Sequence, residues 1–419
     1  MTGECNLQLP AGVRDFLPVE AAALRDLEQK MIHCFLGWGY REVLTPTFEF
    51  AETFQAGSAA GDASTLYKFI DRQGRVLALR PEMTAPIARL AATTLQRQAL
   101  PLRLCYRAPV FRYEEPRAGR QREFHQAGVE LIGSSGVAAD VEIIALAVEA
   151  LLAAGLEDFR LGIGQVAVTR GVLQDLDLPP EATAAIKVAL AGKDLVALEQ
   201  LYNEYHLSGS QRRQVELLAA LHGGAEALAT ARTAFEQTEA AAALDGLAQV
   251  WQALAVVGLD RWLFIDLGIL RDFDYYTGIV FEGYAPDLGM PLLGGGRYDT
   301  LLGRFGCPCP ATGFALGLER VLLARQGGPD NGRGHGYLVA GRDLAAVLRR
   351  AQELRRTGVA VTLDGESTSP AEATARAADR GLEPVWVDGH AAQHSTGNTA
   401  SIFRDLGVSR NNPGRNDEV

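Results

Sequence analysis

The chain has 419 residues, of which 47% are apolar, so it can bury two or three hydrophobic cores of ordinary domain size. Its 40 basic and 51 acidic residues give a net charge of −11, which disfavours general binding to a nucleic-acid backbone. The five cysteines are scattered, which is typical of reduced thiols rather than of a disulfide framework.

Two features of the sequence argue against export and membrane insertion. Residues 1–16 lack a basic start followed by an apolar segment. The longest apolar run, from Ile143 to Leu156, contains Glu149 and is too short to span a bilayer. The sequence therefore predicts a cytoplasmic protein.

The first elements in chain order are a helix and a set of strands. The apolar spacing predicts an amphipathic helix from Pro18 to Leu36, and then a β-prone run from Arg41 to Phe50 that Pro46 confines to an edge or an interface. Some strands follow one another along the chain without a helix between them. The pattern therefore predicts an α+β fold with a mostly antiparallel sheet flanked by helices. The further predicted strands are Arg75–Leu79, Leu102–Phe111, Gly128–Ile132, Phe159–Ile163, Trp262–Leu267 and Gly278–Tyr284.

The second half of the chain changes character twice. Residues 168–257 are rich in Ala, Leu, Glu and Gln with apolar residues at helical spacing, which predicts a helical insertion. After a glycine-rich loop, strands and helices alternate over residues 337–387, which predicts a small C-terminal α/β domain. In it, Ser369 and Glu372 are typical of a helix start and Gly381 of a helix end. Residues 388–419 lack sustained apolar periodicity and are predicted to be disordered.

Charged and amide side chains cluster in the first third of the chain. The stretch from Phe111 to Phe124 is dense in arginines, which pair with phosphate or carboxylate groups, although such a loop is also typical of a solvated hairpin. Gln126 and Glu130 lie on one face of the following strand, because side chains alternate along a strand. With Glu82, which follows an earlier strand, they form a set that can bind an ammonium or an imidazole.

A second group of candidate residues lies later in the chain. It comprises residues 270–282 and 294–299, and the latter begin with three glycines that allow close approach of a ligand but are also common in turns. A strand that turns into a helix follows at residues 313–320. There Arg320 can reach a phosphate, whereas Glu319 and Arg320 alone are commonly a helix-surface pair.

Together these segments resemble the motifs of the histidyl-tRNA synthetase family, a class II aminoacyl-tRNA synthetase family. The resemblance covers residues 9–323 and is specific because five motifs occur in order. It implies a synthetase-like core of residues 1–167 and 258–325, with a dimer interface at motif 1. Motifs 1, 2 and 3 are matched by residues 37–46, 111–123 and 313–320, and the two histidine motifs by residues 270–276 and 294–299.

The resemblance also implies a histidine pocket. In it acidic and phenolic groups bind the ring nitrogens and the amine, and Arg271 faces the carboxylate. Arg112 and Arg320 are similar to the groups that hold the phosphates of ATP. No catalytic residue, metal or cofactor is predicted. The residues similar to histidine-binding ones are Glu82, Thr84, Arg112, Gln126, Glu130, Arg271, Tyr275 and Tyr276.

Departures from the synthetase pattern favour a paralogous branch of the family, the regulatory subunits of ATP phosphoribosyltransferase. Met83 and Asp272 stand where synthetases usually have glycine, and Asp272 places a negative charge near the expected α-phosphate position. From Tyr337 onward there are ten arginines, eleven acids and no lysine, so no positive field is available for an anticodon stem. This part is similar to a truncated anticodon-binding domain.

Resemblance to that branch implies a non-catalytic regulatory subunit that senses L-histidine at the first step of histidine biosynthesis. It implies a short-form ATP phosphoribosyltransferase catalytic subunit as partner and a homodimer within a hetero-oligomer, by resemblance a hetero-octamer, without tRNA or membrane. A catalytic histidyl-tRNA synthetase and a scaffold that binds no histidine remain as alternatives. Cys307 and Cys309 lack the spacing of a zinc site and are left out of the predicted site.

Overall fold

The structure, a computed structural model, describes residues 7–57, 63–114, 121–238, 240–269, 276–325, 336–388 and 391–392. The chain divides into two compact units, Met1–Pro329 and Asp330–Val419. Among the described residues, every helix is too short or too polar to cross a membrane.

The predicted first helix is confirmed and begins at Pro18, a residue that suits the first helical turn because it has no backbone donor to lose. Its buried face includes Leu24, Leu27, Met31 and Phe35, spaced by three or four residues. The helices of the first unit are α1 (Pro18–Gly37), α2 (Ala51–Gly57), α3 (Thr84–Ala92), α4 (Val137–Ala153), α5 (Val166–Asp175), α6 (Pro180–Ala191), α7 (Leu195–Glu204), α8 (Gly209–Ala220), α9 (Ala225–Ala234), α10 (Ala241–Val256), α11 (Leu301–Arg304) and α12 (Leu318–Ala324).

The strands of the first unit agree with most of the predicted ones. The β-prone run Arg41–Phe50 splits into two short strands around Pro46, and the strand predicted at Gly128 begins earlier, because it pairs with its neighbour along its whole length. The strands are β1 (Arg41–Glu42), β2 (Phe48–Phe50), β3 (Lys68–Ile70), β4 (Val76–Leu79), β5 (Leu102–Phe111), β6 (Glu123–Ile132), β7 (Arg160–Gln165), β8 (His222–Gly223), β9 (Leu263–Asp266), β10 (Ile279–Tyr284), β11 (Leu293–Arg297) and β12 (Ala311–Gly317).

Nine of these strands form one sheet in the order β1-β5-β6-β12-β11-β10-β7-β9-β8. The β1–β5 and β7–β9 pairs are parallel and the others antiparallel, so the prediction of a mostly antiparallel sheet is confirmed. β2, β4 and β3 form a separate antiparallel sheet. The four central strands β6, β12, β11 and β10 provide the floor on which the candidate site lies.

Helices α5 to α10 occupy most of the segment predicted as a helical insertion, whose bounds stay a prediction. Leu198 and Tyr202 of α7 are buried, as the helical spacing predicted, whereas Leu195 at the start of α7 is 69% exposed. The buried side chains of these helices belong to the same hydrophobic cluster as those of α1, α4 and the large sheet. The helical segment is therefore an extension of the main core.

The second unit combines strands and helices, and its first strand begins at Tyr337. Its strands are β13 (Tyr337–Gly341), β14 (Val361–Asp364), β15 (Glu383–Asp388) and β16 (Ala391–Ala392), and its helices are α13 (Leu344–Arg356) and α14 (Pro370–Asp379). The strand order is β14-β13-β15-β16, parallel except for the last pair.

The predicted start and end of α14 are confirmed. The Ser369 hydroxyl accepts a hydrogen bond from the amide of Glu372 (3.4 Å), while the Glu372 carboxylate accepts from Thr368 rather than from the capping serine (2.8 Å). Gly381 follows the helix with a left-handed backbone, φ +66°. Of the predicted tail, only Asp388 and β16 lie within the described residues, and β16 is a short strand where no structure was predicted.

Candidate ligand pocket

A cavity of about 560 Å³ opens above the centre of the large sheet in the first unit. Its floor is formed by glycine-rich parts of β11 and β12 together with β6 and β10, and its walls include the turn from β4 to α3 and the ends of β5 and β6. Such a volume suits a small polar ligand. The cavity lining contains most of the residues that the sequence predicted to bind histidine or phosphate: Glu82, Thr84, Arg112, Gln126, Glu130, Tyr276 and Arg320.

Three residues of the sequence-based argument cannot be placed. Arg271, Asp272 and Tyr275 lie outside the described residues. The role of Arg271 at the ligand carboxylate, that of Asp272 near the α-phosphate position and that of Tyr275 at the histidine ring therefore stay predictions.

Glu130 is the most buried acidic group of the pocket, with 2% of its surface exposed. β6 directs its side chain into the cavity, where its carboxylate accepts hydrogen bonds from Thr84 Oγ1 (2.8 Å) and from the Tyr298 hydroxyl. Burial raises the pKa of Glu130 to about 8, against the opposing effect of these two hydrogen bonds, and the nearby Glu82 carboxylate adds to the rise. The pocket therefore holds a carboxyl group that ionises less readily than an ordinary glutamate.

Glu82 lies at the start of α3 and faces the same cavity. Its carboxylate accepts hydrogen bonds from the backbone amides of Thr84 and Ala85, the latter at 3.0 Å. These amides are among the donors that a helix leaves unpaired at its first turn, so Glu82 caps α3. Burial raises the pKa of Glu82, while the amide hydrogen bonds act in the opposite direction. Thr84 thus contacts both carboxylates, one through its amide and one through its hydroxyl.

Gln126 is a buried amide whose hydrogen bonding is incomplete. The side chain is 9% exposed and lines the cavity, and its Oε1 has no hydrogen-bond donor in the part of the chain that the structure describes. A buried polar atom without a partner is costly. The Gln126 side chain is part of the cavity lining, where a ligand can contact its amide group.

Glycines in β11 and β12 make room for the functional side chains. Gly313 lies directly opposite Glu130 in the sheet, and a Cβ atom at Gly313 would collide with the Glu130 carboxylate and the Val129 carbonyl. A Cβ atom at Gly296 would lie 2.8 Å from the ring of Tyr276. The glycine triplet, for which a turn was the alternative interpretation, therefore forms a strand whose missing side chains create the floor of the cavity.

The two arginines of the lining are held by backbone carbonyls. Arg112 donates from Nε to Pro81 O (2.8 Å) and lies 5.3 Å above the ring of Phe124, and Arg320 donates to Pro291 O (2.9 Å). The alternative of a Glu319–Arg320 surface pair is wrong, because the Glu319 carboxylate instead binds the backbone amide and ring of His125. Both guanidinium groups are thus positioned for an anionic group in the cavity.

Sequence reasoning missed several residues of the lining. Tyr298 and Glu282 lie within motifs that were noted, yet neither was selected, and Tyr106 was read only as part of a strand. Strand alternation could have identified Tyr106, since it pairs with Gly128, which lies on the same strand and the same face as Glu130. Met83, which was predicted to lie beside the pocket, lines the cavity and is 1% exposed.

The fold and the pocket define a protein built on a class II synthetase core, and comparisons with known proteins agree. The family model described as histidyl-tRNA synthetase matches residues 12–321. A histidyl-tRNA synthetase structure from Nostoc sp. PCC 7120 shares the fold, with a TM-score of 0.78 at 23% identity over 92% of this chain and 93% of that one.

Two further comparisons distinguish between the branches of the family. The chain is 71% identical to an ATP phosphoribosyltransferase regulatory subunit from Moorella thermoacetica, over 92% of this chain and all of that protein. It is also similar to the structure of an ATP phosphoribosyltransferase regulatory subunit/histidyl-tRNA synthetase from Bacillus halodurans C, with a TM-score of 0.83 and 32% identity over 93% of this chain and all of that one. The chain therefore belongs to the histidyl-tRNA synthetase family and, within it, to the ATP phosphoribosyltransferase regulatory subunits, so the predicted non-catalytic branch is confirmed.

Proposed function

We propose that the chain is the L-histidine sensor of a cytoplasmic ATP phosphoribosyltransferase and carries feedback control of the first step of histidine biosynthesis. Its partner is a short-form catalytic subunit that lacks a regulatory domain of its own. Histidine binds in the cavity that contains Glu82, Gln126 and Glu130 and favours one conformation of the assembly, since a ligand with equal affinity for two states shifts neither.

The observation that carries this proposal is the chemistry of one cavity. Two carboxylates contact Thr84, and the amide oxygen of Gln126 lacks a hydrogen-bond donor among the described residues. The guanidinium group of Arg112 lies in the same lining. A free amino acid offers an ammonium for the acidic groups, a carboxylate for an arginine and, in histidine, a ring with one donor and one acceptor. The predicted histidine-binding roles of Arg271 and Tyr275 complete this set.

A homodimer within the hetero-oligomer is supported by an exposed apolar surface on the small three-stranded sheet. Phe48 and Phe50 of β2 share a face with Phe69 of β3, and Phe48 is 51% exposed although its ring contacts Phe69 at 5.6 Å between centroids. A contiguous set of exposed aromatic rings is typical of a protein interface. This sheet follows the segment that resembles motif 1.

We further propose the domain arrangement that the resemblance implies. Residues 1–167 and 258–325 form the synthetase-like core with the pocket, and residues 168–257 are a helical insertion. Residues 337–387 are a truncated anticodon-binding-like domain. The comparatively neutral second unit, with exposed acids on α14 and β15, gives no reason to expect tRNA binding.

The alternative is a chain that still activates histidine, because Arg112 and Arg320 remain in the lining. Purified protein should bind L-histidine in a calorimetric titration at a stoichiometry of about one per chain. It should not catalyse histidine-dependent exchange of pyrophosphate into ATP. Exchange at a rate typical of an enzyme would favour the synthetase, and absence of histidine binding would favour a scaffold. L-Histidine methyl ester, which lacks the carboxylate charge, serves as the control ligand and should bind more weakly.

A further inference from the structure

The two carboxylates of the pocket share an unusual arrangement. Glu82 and Glu130 both contact Thr84, and their negative charges oppose each other, yet neither forms an ion pair within the described ranges. The hydrogen bonds that Glu82 and Glu130 accept come from backbone amides and hydroxyl groups, which are neutral. Two adjacent, desolvated carboxylates that form no ion pair cannot both ionise at low cost.

We propose, on the basis of the proposed function, that Glu130 carries a proton in the empty pocket and releases it when the ammonium group of the ligand enters. At the Glu130 contact the ammonium of the ligand brings one positive charge and one proton leaves to the solvent, so the charge of that contact is the same before and after binding. Histidine capture is therefore an exchange of a cation for a proton.

The hydroxyl partners of Glu130 are compatible with this assignment. A hydroxyl group can donate or accept a hydrogen bond, so the hydroxyls of Thr84 and Tyr298 can bind Glu130 both as a protonated acid and as a carboxylate. Arg112, the cation of the lining that acts on Glu82, donates its Nε to the Pro81 carbonyl. The titratable and charged groups that act on Glu130 or its immediate neighbours are Glu82 on the α3 side, Tyr106 and Arg112 on β5 and its end, Tyr298 after β11, Tyr276, and Tyr40 after α1.

The calorimetric test counts protons. L-Histidine is titrated into the full chain near pH 7 in buffers with different ionisation enthalpies, where the ligand ring is mostly neutral and its ammonium intact. The slope of binding enthalpy against buffer enthalpy should correspond to release of about one proton, and the affinity should rise close to tenfold per pH unit below about pH 8. Histidine that binds with no proton release would overturn this inference and leave the sensor function intact. Failure of histidine to bind would overturn both.

A second measurement does not depend on ligand. The protein is labelled with carbon-13 at glutamate carboxyl groups, and the Glu130 resonance is assigned as the one missing from the Glu130→Gln variant. In the empty protein this carboxyl should titrate well above the range of an ordinary glutamate, and saturating histidine should shift its titration downward by several pH units. A Glu130 carboxyl already ionised at pH 6 in the empty protein would contradict the exchange.

Discussion

Replacement Glu130→Gln should weaken L-histidine binding by about 100-fold or more, because the ligand cation then meets a neutral amide in a desolvated site. Gln has nearly the same shape, and its carbonyl can still accept from Thr84 or Tyr298, so the pocket should keep its form. Isothermal titration calorimetry measures the affinity, and circular dichroism reports whether the variant is folded.

The matched control for Glu130→Gln is Glu157→Gln. Glu157 is an exposed glutamate in the turn between α4 and β7 and is not part of the cavity lining. It loses the same charge and should bind histidine as the natural sequence does. Equal weakening in both variants would mean that overall charge, rather than the pocket, determines the affinity.

Although Glu130→Gln should weaken histidine binding, it should make the ligand-free fold more stable at alkaline pH. The pKa of Glu130 is raised on folding to about 8, so its ionisation opposes the folded state. This cost is absent below the unfolded-state pKa, near 4.3, grows as pH rises and is complete above about pH 8. In urea unfolding without ligand, Glu130→Gln should therefore be more stable than the natural sequence at pH 8.5, by an amount on the order of a few kcal/mol, with the difference disappearing towards pH 5. A difference that grew as pH fell would show that Glu130 is stabilised as the carboxylate.

Replacement Gly313→Ala should abolish detectable histidine binding and destabilise the fold by about 1 to 3 kcal/mol. The added methyl group would overlap the Glu130 carboxylate and the Val129 carbonyl, so either the acid leaves its position or β12 separates from β6. Histidine titration and urea unfolding of the purified variant measure the two effects separately.

Gly246→Ala is the control for Gly313→Ala. Gly246 lies within α10, and a Cβ atom there would have no neighbour within 4 Å. Alanine stabilises a helix relative to glycine by about 0.5 to 1 kcal/mol, so Gly246→Ala should keep binding and gain stability. Normal histidine affinity in Gly313→Ala would contradict the claim that the pocket needs a glycine at this position.

Local sequence signals were sufficient to predict helices in which buried and exposed residues alternate with helical periodicity. The helix from Pro18 and the helix after Ser369 were predicted closely, because proline, capping side chains and a terminal glycine mark helix ends directly. β11 was not predicted as a strand. Its glycines have low strand propensity, and it exists because β10 and β12 pair with both of its edges. Such pairing between distant segments leaves no local signal.

The candidate site shows the same division. Residue types and strand alternation grouped Glu82, Gln126 and Glu130, which all line the cavity, and family resemblance added Thr84. The role of Glu82 as a helix cap could not be predicted, since glutamate is an unusual capping residue and Met83 lies between Glu82 and the first residue of α3. Likewise, the contact between Tyr298 and Glu130 joins two residues far apart in the chain, and only the paired strands β11, β12 and β6 bring them together.

The most direct test of the account is feedback in the reconstituted assembly. The chain is co-expressed with a short-form ATP phosphoribosyltransferase catalytic subunit, the complex is isolated by size exclusion, and transferase activity is measured with increasing L-histidine. Histidine should inhibit the complex that contains the natural chain or Glu157→Gln, and the complex with Glu130→Gln should need about 100-fold more histidine for the same inhibition. A chain that forms no complex, or a Glu130→Gln complex that is inhibited at the natural histidine concentration, would contradict the proposal that this pocket carries the feedback signal.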